Sequence, residues 1–447
     1  MTGMLVGAPA GAPTLGSATE YLYGLPRGSK KVGLARAAAL FSLLGSPQDA
    51  VRTVHVAGTA GKGSVSAFVA SILTAHGFRV GTHLSPHVRT ILERFQIDGA
   101  NLRAEHFVAA VAAIAPAVTA VGHTALGTPT FFEAANAVAF TRFATETLDY
   151  AVIETGVGGL LDATNTITRS DKLAVITRIG IDHTTMLGDT VAEIAAHKAG
   201  ILPAGGHGIV LRHHQASVRS TIHQAAQRQR CRLDIVDPRK VTCTVDSAGT
   251  VLHLDGADFP LGLQGRHQGV NAAVALRSAE HLARRDGWSL EPTAVRAGLA
   301  RAWLPGRVER HTVGGREVIL DGAHNNVKLV ALVDTVRALH PGARFTWVLA
   351  AKADKDFQSV LATIAPITAS VVATQLPADG AGPTPPSIPA GTLAEQAQAR
   401  GLRAVAIADP TAAVRAAMET DDQGPVVVTG SFLHLAAADV ALALARP

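Results

Sequence analysis

Cysteine is almost missing from this chain. Two residues among 447, Cys231 and Cys243, exclude a disulfide framework and point to a reducing compartment, the cytoplasm. Aromatic residues make up only 4%, no block of Lys or Arg occurs, and the net charge of +5 is mild. Nucleic-acid binding needs a concentrated basic face, so no nucleic-acid partner is expected. Long apolar runs are lacking too. The longest region, "FVAAVAAIAPAVTAV", reads as short and broken by Pro116, so no membrane span is expected. The N-terminal "MTGMLVGAPAGAPTLGSA" has no basic flank ahead of an apolar core. It reads as a flexible tail over 1–17 rather than a signal peptide. No apolar heptad or exposed strand is evident, which makes a monomer the simpler expectation.

What is present is alternation. The strand-like segments "TVHVAG", "FRVGTHL", "DYAVIET", "LAVITRIG" and "GIVLR" are separated by helical stretches that include Ser64–His76, Phe132–Glu146 and Val191–Ile201. Continuous apolar strands with helices between them predict a mostly parallel sheet covered on both faces. The run "VTCTVDSAGTVLHLDGADFPLGL" reads as antiparallel β-structure. After Pro305 the alternation restarts with "EVILDG", "FTWVLA", "ASVVATQ", "RAVAIA" and "PVVVTG". This predicts an α/β chain of two domains, 18–304 and a smaller 305–447, with a surface loop at Pro377–Gly391.

The segment "TVHVAGTAGKGSVSAF" holds the most chemistry. Its strand passes through Gly58, Thr59, Ala60, Gly61, Lys62 and Gly63 into a helix opened by Ser64. Glycines let backbone N–H groups approach a ligand. The helix N-terminus adds partial positive charge and Lys62 a full one, which together form a polyphosphate cradle. Ser64 stands where such loops ligate Mg²⁺, although the spacing departs from the usual P-loop pattern because Gly63 intervenes. The bland alternative is a Gly-rich turn of a doubly wound sheet.

Glu154 and His183 end later strands, at the edge where parallel sheets bind ligands; each is a candidate Mg²⁺ ligand or a rim residue. Lys198 follows a Thr190/Glu193 capping box and lies on the stripe Val191, Ile194, Ala195, Lys198, Ile201. An inward lysine either snorkels outward or is used chemically. Desolvation would make it a nucleophile, for example towards CO₂. The histidines at 207, 213, 214 and 223 lack zinc spacing and read as solvent-facing.

Taken in order, "HVAGTAGKGS", "LSPH", "ERFQIDG", "TPTFFEA", "ETGVGGLLDATN", "IGIDHTTMLGDTVAEIAAHKAGI", "HQGVNAA", "LPGRVE", "DGAHN" and "VTGSF" resemble the folylpolyglutamate synthase/dihydrofolate synthase family of the Mur ligase superfamily. The resemblance implies a P-loop-type ATPase domain with a mostly parallel sheet, followed by a smaller Rossmann-like domain. It implies an ATP-dependent ligase that phosphorylates a folate or dihydropteroate carboxylate and lets the amine of L-glutamate displace phosphate.

By the same resemblance, Asn271, Arg307 and Asp321 join the turn in contacting ATP. Ser64, Ser85, Glu154 and His183 hold one or two Mg²⁺, with Lys198 as a carbamate. Thr130, Phe131, Phe132, Glu133, Leu161, Asp162 and Ala163 match the pterin-side pocket, and His324 and Ser431 the incoming amino acid. Ala60 stands where the family usually has Asn, and Leu160 where it usually has Arg. Lys31, in the Lys30–Lys31 region, falls where an acid is common. Two of these departures lie on the acceptor side. A divergent Mur-type ligase acting on another carboxylate is therefore the alternative.

Overall fold

The computed structural model describes residues 13–27, 33–353, 356–376 and 386–444. It divides into two compact units, Met1–Val241 with Val270–Ala302, and Thr242–Gly269 with Trp303–Pro447. The Lys30–Lys31 region and most of the Pro377–Gly391 loop lie outside the described residues. The end of that expected loop, Ala390 and Gly391, opens the helix Ala390–Gln398.

The first unit is built on an eight-stranded sheet. Its strands are β1 (Arg52–Ala57), β2 (Val80–His83), β3 (Phe95–Ile97), β4 (Ala100–Asn101), β5 (Tyr150–Glu154), β6 (Leu173–Ile176), β7 (His207–Leu211) and β8 (Arg232–Val236). They lie in the order β4-β3-β2-β5-β1-β6-β7-β8, with only β3 reversed, pairing antiparallel with both β2 and β4. β1 is central, flanked by β5 and β6, and its last five residues are buried. One apolar cluster includes Leu22, Phe41, Phe107, Phe140 and Ile153; a second includes Ala57, Ile176, Ile194, Ile201 and Val210. At roughly 25 cal/mol per Å² of buried apolar surface, side chains of this kind supply most of the driving force.

Two sequence expectations need correction here. The stretch expected as a tail over 1–17 includes ordered structure, because Thr14 caps a helix over Leu15–Tyr23 that buries Ala18, Tyr21 and Leu22. Pro116 breaks nothing: it sits inside one continuous helix, Ala104–Gly122. Among the described residues this is the one helix long and apolar enough to cross a membrane. Here Phe107, Val111, Ile114 and Val118 are packed in the core. The proline donates no N–H to the preceding turn, and the burial of Phe107, Val111, Ile114 and Val118 on the same helix offsets that loss.

The second unit carries an antiparallel sheet of β9 (Thr242–Asp246), β10 (Gly249–Leu254) and β11 (Ala257–Leu261). Its six-stranded sheet comprises β12 (Glu309–Val313), β13 (Arg316–Leu320), β14 (Phe345–Leu349), β15 (Thr368–Ala373), β16 (Ala404–Ala406) and β17 (Val426–Thr429). These lie in the order β12-β13-β17-β14-β15-β16, with only β12 antiparallel. The small β9–β11 sheet, expected within 18–304, groups with this second unit. Val245 shares a core with Val308, Ile319, Leu332 and Trp347.

Candidate active site

The Gly-rich turn leaves the buried end of β1 and enters the helix Lys62–Ala75. Gly61 precedes that helix at φ +86°, a conformation favourable to glycine, and an added Cβ there would lie 2.5 Å from Asn271 Oδ1. Asn271, expected at the nucleotide, is thereby placed against the turn. Gly58 is more tightly constrained: its Cβ would meet Thr177 Oγ1 at 1.8 Å. The segment after β6 pins the turn from the side. Arg178 O accepts from the N–H groups of Thr59 (2.7 Å) and Ala60 (3.2 Å), and Thr177 Oγ1 donates to Ala60 O at 2.9 Å. Thr177 and Arg178 escape a motif search because a strand-end Thr-Arg has no signature of its own.

Around this turn the charges converge. Glu154, at the end of β5 and 4% exposed, accepts from the Ser85 N–H at 3.0 Å through Oε2. Its Oε1 lies 3.8 Å from Lys62 Nζ. Lys198 is also buried and donates from Nζ to the Gly58 carbonyl oxygen at 2.9 Å. It does not snorkel. Burial, followed by the nearby Lys62 charge, lowers its pKa to about 7, against the opposing pull of Asp182 and Asp162. A neutral amine at pH 7 is the form that attacks CO₂. Ser64 is buried in the first helical turn.

His183 precedes the short helix Thr184–Leu187 at φ +51°. Its backbone N–H donates to Asp182 Oδ1, and its half-exposed ring lies 3.9 Å from the same oxygen. Among the described residues no group of three or more His, Cys, Asp and Glu could hold a metal ion. The donor set is instead one buried carboxylate with serine hydroxyls. That set suits Mg²⁺, which keeps waters and binds through one or two carboxylates plus phosphate, and does not suit zinc.

The expected pterin-side residues divide. Thr130 and Glu133 form a capping box on the helix Phe131–Thr145, and Glu133 Oε2 also accepts from Arg36 Nε at 2.7 Å. Glu133 thus caps the helix, a structural role legible in its T-x-x-E spacing. Phe131 packs 5.6 Å from the Tyr23 ring, and Phe132 fills the space a Cβ on Gly156 would need. Asp162 is buried and accepts from the Val157 and Thr164 N–H groups; burial raises its pKa, against those hydrogen bonds. Ala163 is buried beside it, whereas Leu160 and Leu161 are exposed.

In the second unit Asp321 follows β13. Its oxygens accept from Val308 N–H (2.9 Å) and Ala323 N–H (2.8 Å), holding Val308 at φ +49°, a costly conformation for a β-branched residue. Burial raises its pKa, opposed by Arg307. Arg307 lies over Phe432, 4.5 Å from its ring centre. His324 lines a cavity with Asn325, Thr429 and Gly430, and its ring meets Lys328 Nζ at 3.0 Å; Ser431 is buried nearby in sequence. Of the scattered histidines, His207 is not solvent-facing: it stacks on His281 at 4.0 Å and sits 3.4 Å from Asp234.

A strand–glycine turn–helix cradle in one unit and a second parallel α/β unit define a Mur-type ligase. Residues 56–279 match the Mur ligase middle domain and residues 306–432 the Mur ligase, glutamate ligase domain. The dihydrofolate synthase/folylpolyglutamate synthase of Bacillus subtilis is 35% identical over 355 residues, 77% of this chain and 81% of that protein. Folylpolyglutamate synthase of Lacticaseibacillus casei is 31% identical over 427 residues, 94% and 96% of the two chains. Among solved structures, Mycobacterium tuberculosis folylpolyglutamate synthase complexed with ADP and AMPPCP aligns with a TM-score of 0.82 at 31% identity, covering 95% and 97%. Escherichia coli FolC in complex with DHPP and ADP aligns at 0.80 and 29%, covering 98% and 99%. The chain belongs to the folylpolyglutamate synthase/dihydrofolate synthase family, whose members are ATP-dependent glutamate ligases.

Proposed function

We propose that this chain joins L-glutamate to the carboxylate of dihydropteroate or a folate, with ATP and Mg²⁺, releasing ADP and phosphate. The observation that carries the reading is the linked set Lys62–Glu154–Ser85 at the turn whose Gly58 carbonyl is held by Lys198. A carboxylate resists amine attack because it is anionic and its leaving group is poor; phosphorylation removes both obstacles. The turn N–H groups and Lys62 bind and orient the triphosphate. Glu154, Ser64, Ser85 and His183 would hold Mg²⁺, which would supply charge neutralisation for the transferring phosphoryl group.

Lys198, as a carbamate, presents an anion beside Gly58 where the free amine now donates. Asn271, Arg307 and Asp321 serve the nucleotide, Phe131, Phe132 and the 161–163 segment the acceptor, and His324 and Ser431 the glutamate. The enzyme acts as a monomer in the cytoplasm in this reading. A different acceptor acid is favoured by one observation, the exposed apolar pair Leu160 and Leu161 beside Asp162.

Radiolabelled glutamate offered with dihydropteroate and with a tetrahydrofolate in parallel decides the matter. ADP release should require both glutamate and a pteroyl acid. Turnover indifferent to glutamate would overturn the reading, and incorporation only with another acid would establish the alternative. Lys62→Ala should lower the rate about 100-fold or more, and Lys198→Ala should be inactive yet partly restored by acetate.

A further inference from the structure

One buried charge outside these assignments has donors to spare. Arg94 ends the short turn Ile91–Arg94 ahead of β3 and is only 7% exposed. Its Nε donates to His87 Nδ1 at 2.8 Å, and its guanidinium carbon lies 5.2 Å from the centre of the Phe131 ring. That bond selects the His87 tautomer. Nδ1 accepts, so Nε2 carries the hydrogen and donates to the Tyr23 hydroxyl at 3.0 Å. His87 is neutral and offers Arg94 no counter-charge.

The adjacent carboxylate is committed elsewhere: Glu93 accepts from the backbone N–H groups of Val88, Arg89 and Thr90 at 2.7, 2.9 and 3.2 Å. Among the described residues, Nη1 and Nη2 of Arg94 have no hydrogen-bond partner and no carboxylate within 4.0 Å. Glu154 acts on it only through space. A desolvated guanidinium with two idle amino groups is costly unless an anion completes it.

We propose that Arg94 is the receptor for the acceptor's carboxylate: Nη1 and Nη2 grip the acid to be phosphorylated, while Phe131 and Tyr23 flank the body of that substrate. The proposal rests on the ligase reading and adds to it a residue that selects the acid. Three features carry it. The fork of the guanidinium matches a carboxylate in plane and spacing. Its plane is set in advance by His87 and, behind it, Tyr23. Its charge lies within the field of Glu154, the residue linked to Lys62, where an acid approaching a triphosphate would otherwise meet anion–anion repulsion.

The test titrates full-length wild type, Arg94→Gln and Arg94→Lys with dihydropteroate and with its neutral carboxamide, following pterin fluorescence. Glutamate transfer is assayed on the same preparations. Arg94→Gln should weaken dihydropteroate about 10- to 100-fold and leave the carboxamide unchanged. Arg94→Lys, which keeps charge and bulk, should lose part of the same selectivity, and the KM values of ATP and glutamate should hold. Equal loss for acid and carboxamide, or a rise confined to the KM of glutamate, would overturn the receptor. So would a wild type that binds acid and carboxamide alike. Wild-type transfer whose acid selectivity survives in Arg94→Gln overturns the receptor and leaves the ligase reading standing. Acid selectivity lost in Arg94→Gln, in a wild type that transfers no glutamate, supports the receptor and removes the ligase reading.

Discussion

Lys198 has a chemical and an energetic consequence at a single side chain. Its ammonium is disfavoured in the fold, with a pKa near 7 against an ordinary 10.5. Between those values the unfolded chain binds more protons than the folded one, so stability rises with pH through that window. Below about pH 7 the full cost of burying the charge is present. Lys198→Met should therefore stabilise the protein by on the order of 2–3 kcal/mol near pH 7, even after losing the bond to Gly58 O, with the gain shrinking towards pH 10. Urea unfolding midpoints at pH 7 and 9.5 check this. Ligation should be lost in the same variant, as expected where a strained group serves function. The sequence already placed this lysine on an inward stripe. It could not show that the Gly58 carbonyl would receive it, since that contact spans 140 positions.

At the scale of elements, the strand–turn–helix unit depends on a neighbour far along the chain. Gly58 is required because Thr177 occupies the space of a side chain, and not because of a left-handed φ, which is the reason at Gly61. Gly58→Ala should lower stability by about 2–3 kcal/mol and abolish nucleotide-dependent turnover. Adding Thr177→Ala removes the hydroxyl at 1.8 Å and leaves the Cβ at 3.1 Å, so the double variant should regain part of both. Thermal melts and ATP titrations of the three proteins measure this; a double variant no better than the single one would sink the steric account. The segment Thr130–Glu133 teaches the converse. The family resemblance directs attention to a pocket, while the T-x-x-E spacing predicts a helix cap, and the cap is formed by Thr130 and Glu133 with Arg36 beside it.

Across the whole molecule, both units bury histidines that must stay neutral. His55 and His83 in the first unit and His434 in the second are fully enclosed, and burial drives each pKa down, to about 3 for His83 and about 4 for His434. In the unfolded chain these groups charge near pH 6.5, so the unfolded state takes up protons first and stability falls as pH drops below 6.5. At pH 5.5 each group costs about 1.4 kcal/mol relative to neutral pH. Calorimetry at pH 7.5, 6.5 and 5.5 should show the thermal midpoints of both units falling over the last step; a flat profile would contradict it. The division into units also departs from chain order, since the β9–β11 sheet shares Val245 with the later core.

By itself the sequence determined the alternating α/β order, the phosphate-type turn, the inward lysine and the strand-end Glu154. Each of these is written in local periodicity or spacing, which short-range sterics and burial enforce. Only the tertiary structure decided that Thr177 and Arg178 pin the turn, that Pro116 lies within an unbroken helix, and that Thr242–Gly269 packs with the later unit. The same is true of Arg94, whose Nη1 and Nη2 find no hydrogen-bond partner among the described residues. These depend on which distant side chains share a volume and which polar groups have already been satisfied, and neither quantity exists until the chain is packed.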